Sequence, residues 1–219
     1  MKPPGIWKCF VHCGLVVAAL CILRAAVAFG APAEDAFARM RALGDQNKWQ
    51  ELVDQFKDEN LSASSDPSGA FHYRGLAYLH LKDAARAEKD LKQAVKHSPT
   101  NGYAWHSLGD LYMQLLKDTV RALDAYNKAF EADLAEHKGK SYSWMPIDAT
   151  LSAASILLHQ TRYAEALKVI ERYDDGDIRN MGAYWARRTL RMYGQIYAGM
   201  GREAECLASF KAALEREER

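Results

Sequence analysis

The chain has 219 residues, enough for one ordinary domain or one short array of repeats. Apolar residues make up 49% and charged residues 26%, the composition of a folded protein and not of a disordered one. With 29 basic and 28 acidic residues the net charge is +1, and removing the acid-free first thirty residues leaves about −2, so the charge balance makes no case for binding nucleic acid.

Residues 1–30 stand apart from the rest. They hold Lys2, Lys8 and Arg24, three of the four cysteines (Cys9, Cys13, Cys21) and the apolar run from Gly14 to Leu23. A basic flank, an apolar centre and small residues at Ala28 and Gly30 follow the layout of a secretory signal peptide cleaved after Gly30. A membrane anchor over residues 9–31 is the alternative, although Arg24 and His12 interrupt it. An organelle transit peptide is the third reading. The first two predict a protein outside the cytoplasm, periplasmic or secreted, with or without a tether.

Beyond residue 33 no stretch alternates with period two. Apolar residues recur at three- and four-residue spacing, as in Leu91, Ala94 and Val95, or Leu108, Leu111, Tyr112 and Leu115. That is the amphipathic helix pattern. Residues 33–67 read as a degenerate first unit marked by Leu43, Trp49 and Phe56. Residues 68–101 and 102–136 then repeat one another. Phe71 aligns with Trp105, Gly75 with Gly109 and Tyr78 with Tyr112. After one inserted residue, Ala87 aligns with Ala122, Leu91 with Tyr126 and Ala94 with Ala129. A longer connection, 135–147, precedes a drifted copy at 147–180, with Ala154, Leu157, Ala166 and Ile170 in the same places. A polar connection, 174–183, precedes a last copy at 187–219 with Gly194, Tyr197, Cys206 and Phe210. Cys206 stands where Ala87 and Ala122 stand and reads as a buried small residue. Such connections lie on one face of repeat arrays and often take part in binding.

Trp105, Leu108, Gly109, Tyr112, Ala122 and Tyr126 resemble the tetratricopeptide repeat, with Pro99 closing the earlier copy. The resemblance implies an all-α, right-handed solenoid of about five helix pairs over residues 31–219. It also implies a concave groove lined by the first helix of each pair, which holds a peptide or helix of a partner protein. By register the groove takes His72, Leu76 and His80 from the second pair, and Tyr103, His106, Asp110 and Met113 from the third. Ser155 and His159 come from the fourth, and Arg188, Arg191 and Gln195 from the fifth. Some members of the family hold a C-terminal carboxylate with Lys and Asn at set positions. Here His72, Leu76 and Ser107 stand there, which argues against that mode. The histidines would make binding pH-sensitive.

No P-loop, dinucleotide fingerprint, GxSxG or HExxH occurs, so neither an enzyme nor a cofactor is expected. The His72, His80 and His106 set lacks a completing carboxylate or Cys, so no metal is expected. Asn60-Leu61-Ser62 is a glycosylation sequon. The sequence thus reads as a non-catalytic protein-binding module, an adaptor or assembly factor outside the cytoplasm. The alternative is a structural subunit that packs through its convex or lateral surface.

Overall fold

The computed structural model describes residues 35–57, 61–136, 144–173 and 182–216. The leader, the sequon asparagine and most of both connections therefore lie outside the described residues. The described residues form ten α-helices, one 3-10 turn (Leu61–Ala63) and no strand. The helices are α1 Ala36–Asp45, α2 Trp49–Phe56, α3 Pro67–His80, α4 Ala84–His97, α5 Gly102–Gln114, α6 Thr119–Glu136, α7 Met145–His159, α8 Tyr163–Tyr173, α9 Ala183–Gly199 and α10 Glu203–Glu215.

Local chemistry starts these helices. Asp66, Asp83, Asn101 and Asp118 each accept a hydrogen bond from the backbone N–H three residues on, at 2.9–3.1 Å. That satisfies one of the four donors left open at a helix start. Pro67 and Pro146 lie in the first turns of α3 and α7, where a missing N–H costs nothing. Pro99 stands between α4 and α5.

One turn joins the two helices of every pair. Asn47, Lys82, Lys117, Thr161 and Gly201 all have positive φ, between 54° and 70°. The next residue's N–H reaches back to a carbonyl of the last helical turn: Lys48 to Leu43, Asp83 to Tyr78, Asp118 to Tyr112, Arg162 to Leu157 and Arg202 to Tyr197, each at 2.9 Å. This is the left-handed closure that ends helices and satisfies their orphan carbonyls. The residue inserted in the third pair falls here, since Asp118 reaches back six residues and the others five. Four of the five positions carry a side chain where glycine is unstrained. Lys82→Gly is therefore expected to stabilise the protein by about 0.5–1 kcal/mol. An unchanged or lowered urea midpoint would show that the turn is not strained.

The pairs stack. The first helices α1, α3, α5, α7 and α9 pack on one another in order and form an inner layer. Each of α2, α4, α6 and α8 is clasped between its partner and the first helix of the next pair. Small residues set the spacing. A Cβ on Gly109 would lie 2.5 Å from the Tyr126 ring, and one on Gly75 2.8 Å from the Leu91 side chain. Arginines at or just before the first turn of the second helices stack over the repeat tyrosines, with Arg86 on Tyr78 at 4.6 Å, Arg121 on Tyr112 at 4.4 Å and Arg202 on Tyr197 at 4.6 Å. The core runs from Met40 to Ile196, and Leu123 and Val169 pack against both of its halves.

Cys206 departs from expectation. Ala87, Ala122 and Ala166 at the equivalent turns are fully buried, whereas Cys206 is half-buried. No further pair closes over α10 among the described residues.

Candidate functional site

The inner layer carries a cleft of about 290 Å³ where the third, fourth and fifth pairs meet. Met113 of α5 and Tyr126 of α6 form one side, and Leu151, Ser152, Ser155 and Ile156 of α7 form the floor. Arg188, Arg191, Met192 and Gln195 of α9 form the far wall. These α9 residues share a side because they are spaced three and four apart. Five of the predicted groove residues meet here: Met113, Ser155, Arg188, Arg191 and Gln195. The lining holds two guanidinium groups and no carboxylate.

Beneath the cleft lies a chain of polar contacts. Tyr126 donates its hydroxyl to Asp110 at 2.8 Å. His106 is buried between two carboxylates, Nδ1 at 3.5 Å from Asp110 and Nε2 at 3.0 Å from Asp148. Asp148 accepts from Arg188 at 2.8 Å. The chain thus fastens α5 and α6 to α7, and α7 to α9. Burial pushes the Asp110 carboxyl above its usual range against the pull of His106 and Tyr126. Burial also works to raise Asp148, but His106 and Arg188 outweigh it and hold that carboxyl below its usual range. Burial and Asp110 together push the Tyr126 phenol far up, so it remains a donor. His106 is therefore a positioning residue under the groove floor, not a surface contact.

A ridge of aromatic rings borders the cleft. Trp144 and Trp185 lie nearly parallel with centroids 6.2 Å apart. Tyr103 meets the edge of Trp144 at 5.9 Å, and Tyr184 meets Trp185 at 4.9 Å. The Arg188 guanidinium sits 5.0 Å over Trp185 and 5.6 Å over Tyr184. Tyr103, Trp144 and Tyr184 are 43%, 47% and 54% exposed. Exposed rings of this size, held edge to edge on one face, are the usual mark of an interaction surface.

The remaining predicted residues lie elsewhere. His72 is largely buried, with Nε2 3.0 Å from Ser107 Oγ. Burial, with His106 nearby, lowers it to about 4, so it is neutral at physiological pH. Leu76 packs on the core. His80 stacks on Trp49 at 4.3 Å. His159 is exposed, with Nδ1 2.7 Å from the Ser155 carbonyl oxygen. The histidines therefore do not form one cluster, and no group of three metal-ligating side chains occurs among the described residues.

Sequence reasoning did not single out Asp148, Trp144, Tyr184 or Trp185. Asp148 lies in the first turn of the drifted fourth copy, and its partners His106 and Arg188 are 42 and 40 positions away, so no local spacing marks it. Trp144 fell within an irregular connection, and Tyr184 and Trp185 lay before the last repeat although α9 begins at Ala183. Their aromatic density in otherwise polar connections was the available signal.

Residues 68–101 and 189–219 each match the tetratricopeptide repeat family. No curated protein matches the chain. Among solved structures, MamA AMB-1 superposes with TM-score 0.61 and 19% identity over 84% of this chain and 98% of that one. MamA MSR-1 gives 0.59 and 21% identity over 83% and 94%. A further crystal structure of MamA gives 0.58 and 19% over 83% and 94%. The chain carries tetratricopeptide repeats, and its helices form a tetratricopeptide-type solenoid.

Proposed function

We propose that this protein is a non-catalytic protein-binding module whose partner is a peptide or helix held against the inner layer. The observation that carries this reading is the cleft across three pairs, bordered by four aromatic rings and backed by a buried polar chain. Preformed grooves of this kind give affinity without chemistry, because the binding surface is ordered before the partner arrives. The repeats and the likeness in fold to MamA support an interaction scaffold.

We place the module outside the cytoplasm, as an adaptor or assembly factor. The basic, acid-free leader with its apolar centre supports this. No described helix is long and apolar enough to cross a membrane, so any tether rests on residues 9–31. A mature N-terminus at Ala31 is the expected result of protein sequencing; retention of Met1 in an extracted membrane fraction would indicate the anchor instead.

Exchanging Met113 or Arg191 for Glu tests the groove. Both side chains are exposed, so melting should be unchanged while complexes isolated from the source cells lose their partner. One observation favours a second reading. Leu207 and Leu214, seven residues apart on α10, are each 61% exposed. If Leu207→Glu removes the partner and Met113→Glu does not, the chain packs laterally as a structural subunit.

A further inference from the structure

The chemistry of the cleft specifies what it reads. Its aliphatic part comes from Met113, Leu151, Ile156 and Met192, and its charge comes from Arg188 and Arg191 alone. The two cations are not equivalent. Arg188 is tied to Asp148 and lies over Trp185 and Tyr184. Arg191, one turn along α9, is exposed and has no carboxylate partner among the described residues. An arginine held on a helix beside an apolar cleft, with no acid to neutralise it, is complementary to a carboxylate that arrives with an apolar neighbour.

The geometry also gives direction. Tyr184, Arg188, Arg191 and Gln195 follow one stripe of α9 at spacings of four, three and four. The stripe joins the aromatic ridge to the cleft, so a chain lying on α9 passes over both. This favours an acidic side chain within a segment over a terminal carboxylate. Resting on the groove reading above, we infer that the partner is an acidic, aliphatic peptide segment. Its Asp or Glu pairs with Arg191, a neighbouring aliphatic side chain fills the cleft between Met113 and Met192, and its continuation lies across Trp144 and Trp185.

Three twelve-residue peptides, acetylated and amidated, test this on the full chain. Each carries Leu at every third or fourth position, with Glu, Gln or Lys between. Binding is followed by fluorescence anisotropy and by the emission of the protein's tryptophans, two of which line the ridge. The Glu peptide is expected to bind about tenfold more tightly than the Gln peptide, and the Lys peptide more weakly still. Arg191→Glu should abolish the preference for Glu, and Arg191→Lys should keep most of it. The Glu peptide should weaken as salt rises. Equal binding of all three peptides, with loss on Met113→Glu, would overturn the acidic partner and leave the groove reading standing. Absence of binding by every peptide at millimolar concentration, with tryptophan emission unchanged, would overturn both. Binding that survives both Arg191→Glu and Met113→Glu would do the same.

Discussion

Asp90→Ala is expected to cost about 3–5 kcal/mol. Asp90 is 3% exposed and Arg74 8%. The pair is bidentate, Nε to Oδ2 at 2.6 Å and Nη2 to Oδ1 at 3.0 Å. Arg74 also donates Nη1 to the Phe56 carbonyl at 2.8 Å. One guanidinium thus fastens the two helices of the second pair to the end of α2. Removing Asp90 takes a bidentate carboxylate away from a buried guanidinium, and that loss exceeds the net value of the pair itself. The double change Arg74→Met with Asp90→Leu should recover most of the loss, because it removes both desolvated charges and keeps the volume. Urea unfolding of the two singles and the double gives the coupling. A cost below about 1 kcal/mol for Asp90→Ala would show that the second pair does not depend on this contact.

Acid should destabilise the protein through His72, and His72→Gln should remove that effect. The ring is held to about 4 in the fold by burial first and by His106 second, against 6.5 for an ordinary histidine. Between those values the unfolded chain binds a proton that the folded chain refuses. Stability is therefore complete above pH 6.5 and falls as the pH drops toward 4. At pH 4.5 the loss amounts to about 2.5 kcal/mol. Asp148, held low by His106 and Arg188, loses its contribution at still lower pH, while the raised Asp110 works in the opposite sense. Gln keeps a partner for Ser107 and does not titrate, so its stability should be flat between pH 7 and 5. Parallel pH curves for wild type and His72→Gln would show that this imidazole is solvated.

The repeat was legible because its packing uses residue types that few other arrangements need. Gly75 and Gly109 sit where a methyl group would strike Leu91 or Tyr126, and those two side chains fill the gap that the glycines leave. These pairs recur at a fixed offset, so periodicity exposes them. The interhelical turns were not legible, since Asn47, Lys82, Lys117 and Thr161 share a backbone conformation but no residue type. The polar contacts were hidden for another reason. Arg74 and Asp90 are 16 positions apart, and His106 and Asp148 are 42 apart. No local pattern marks such a partnership. The groove was legible as a face and not as a site. The spacing put Arg188, Arg191 and Gln195 on one side of a helix, but it could not show that Asp148 takes Arg188 and leaves Arg191 exposed. Burial changed the meaning of the histidines most, because His72 contacts Ser107 of the third pair and His106 contacts Asp148 of the fourth, so both join neighbouring pairs.

The proposed partner sits on the inner layer between the third and fifth pairs. A photocrosslinking residue installed in the full chain, at Met113 or Gln195 in the cleft and at Val120 or Leu207 on the second helices, tests this placement in the source cells. Partner adducts are expected from Met113 and Gln195 and none from Val120 or Leu207. Adducts from Val120 or Leu207 alone would contradict it.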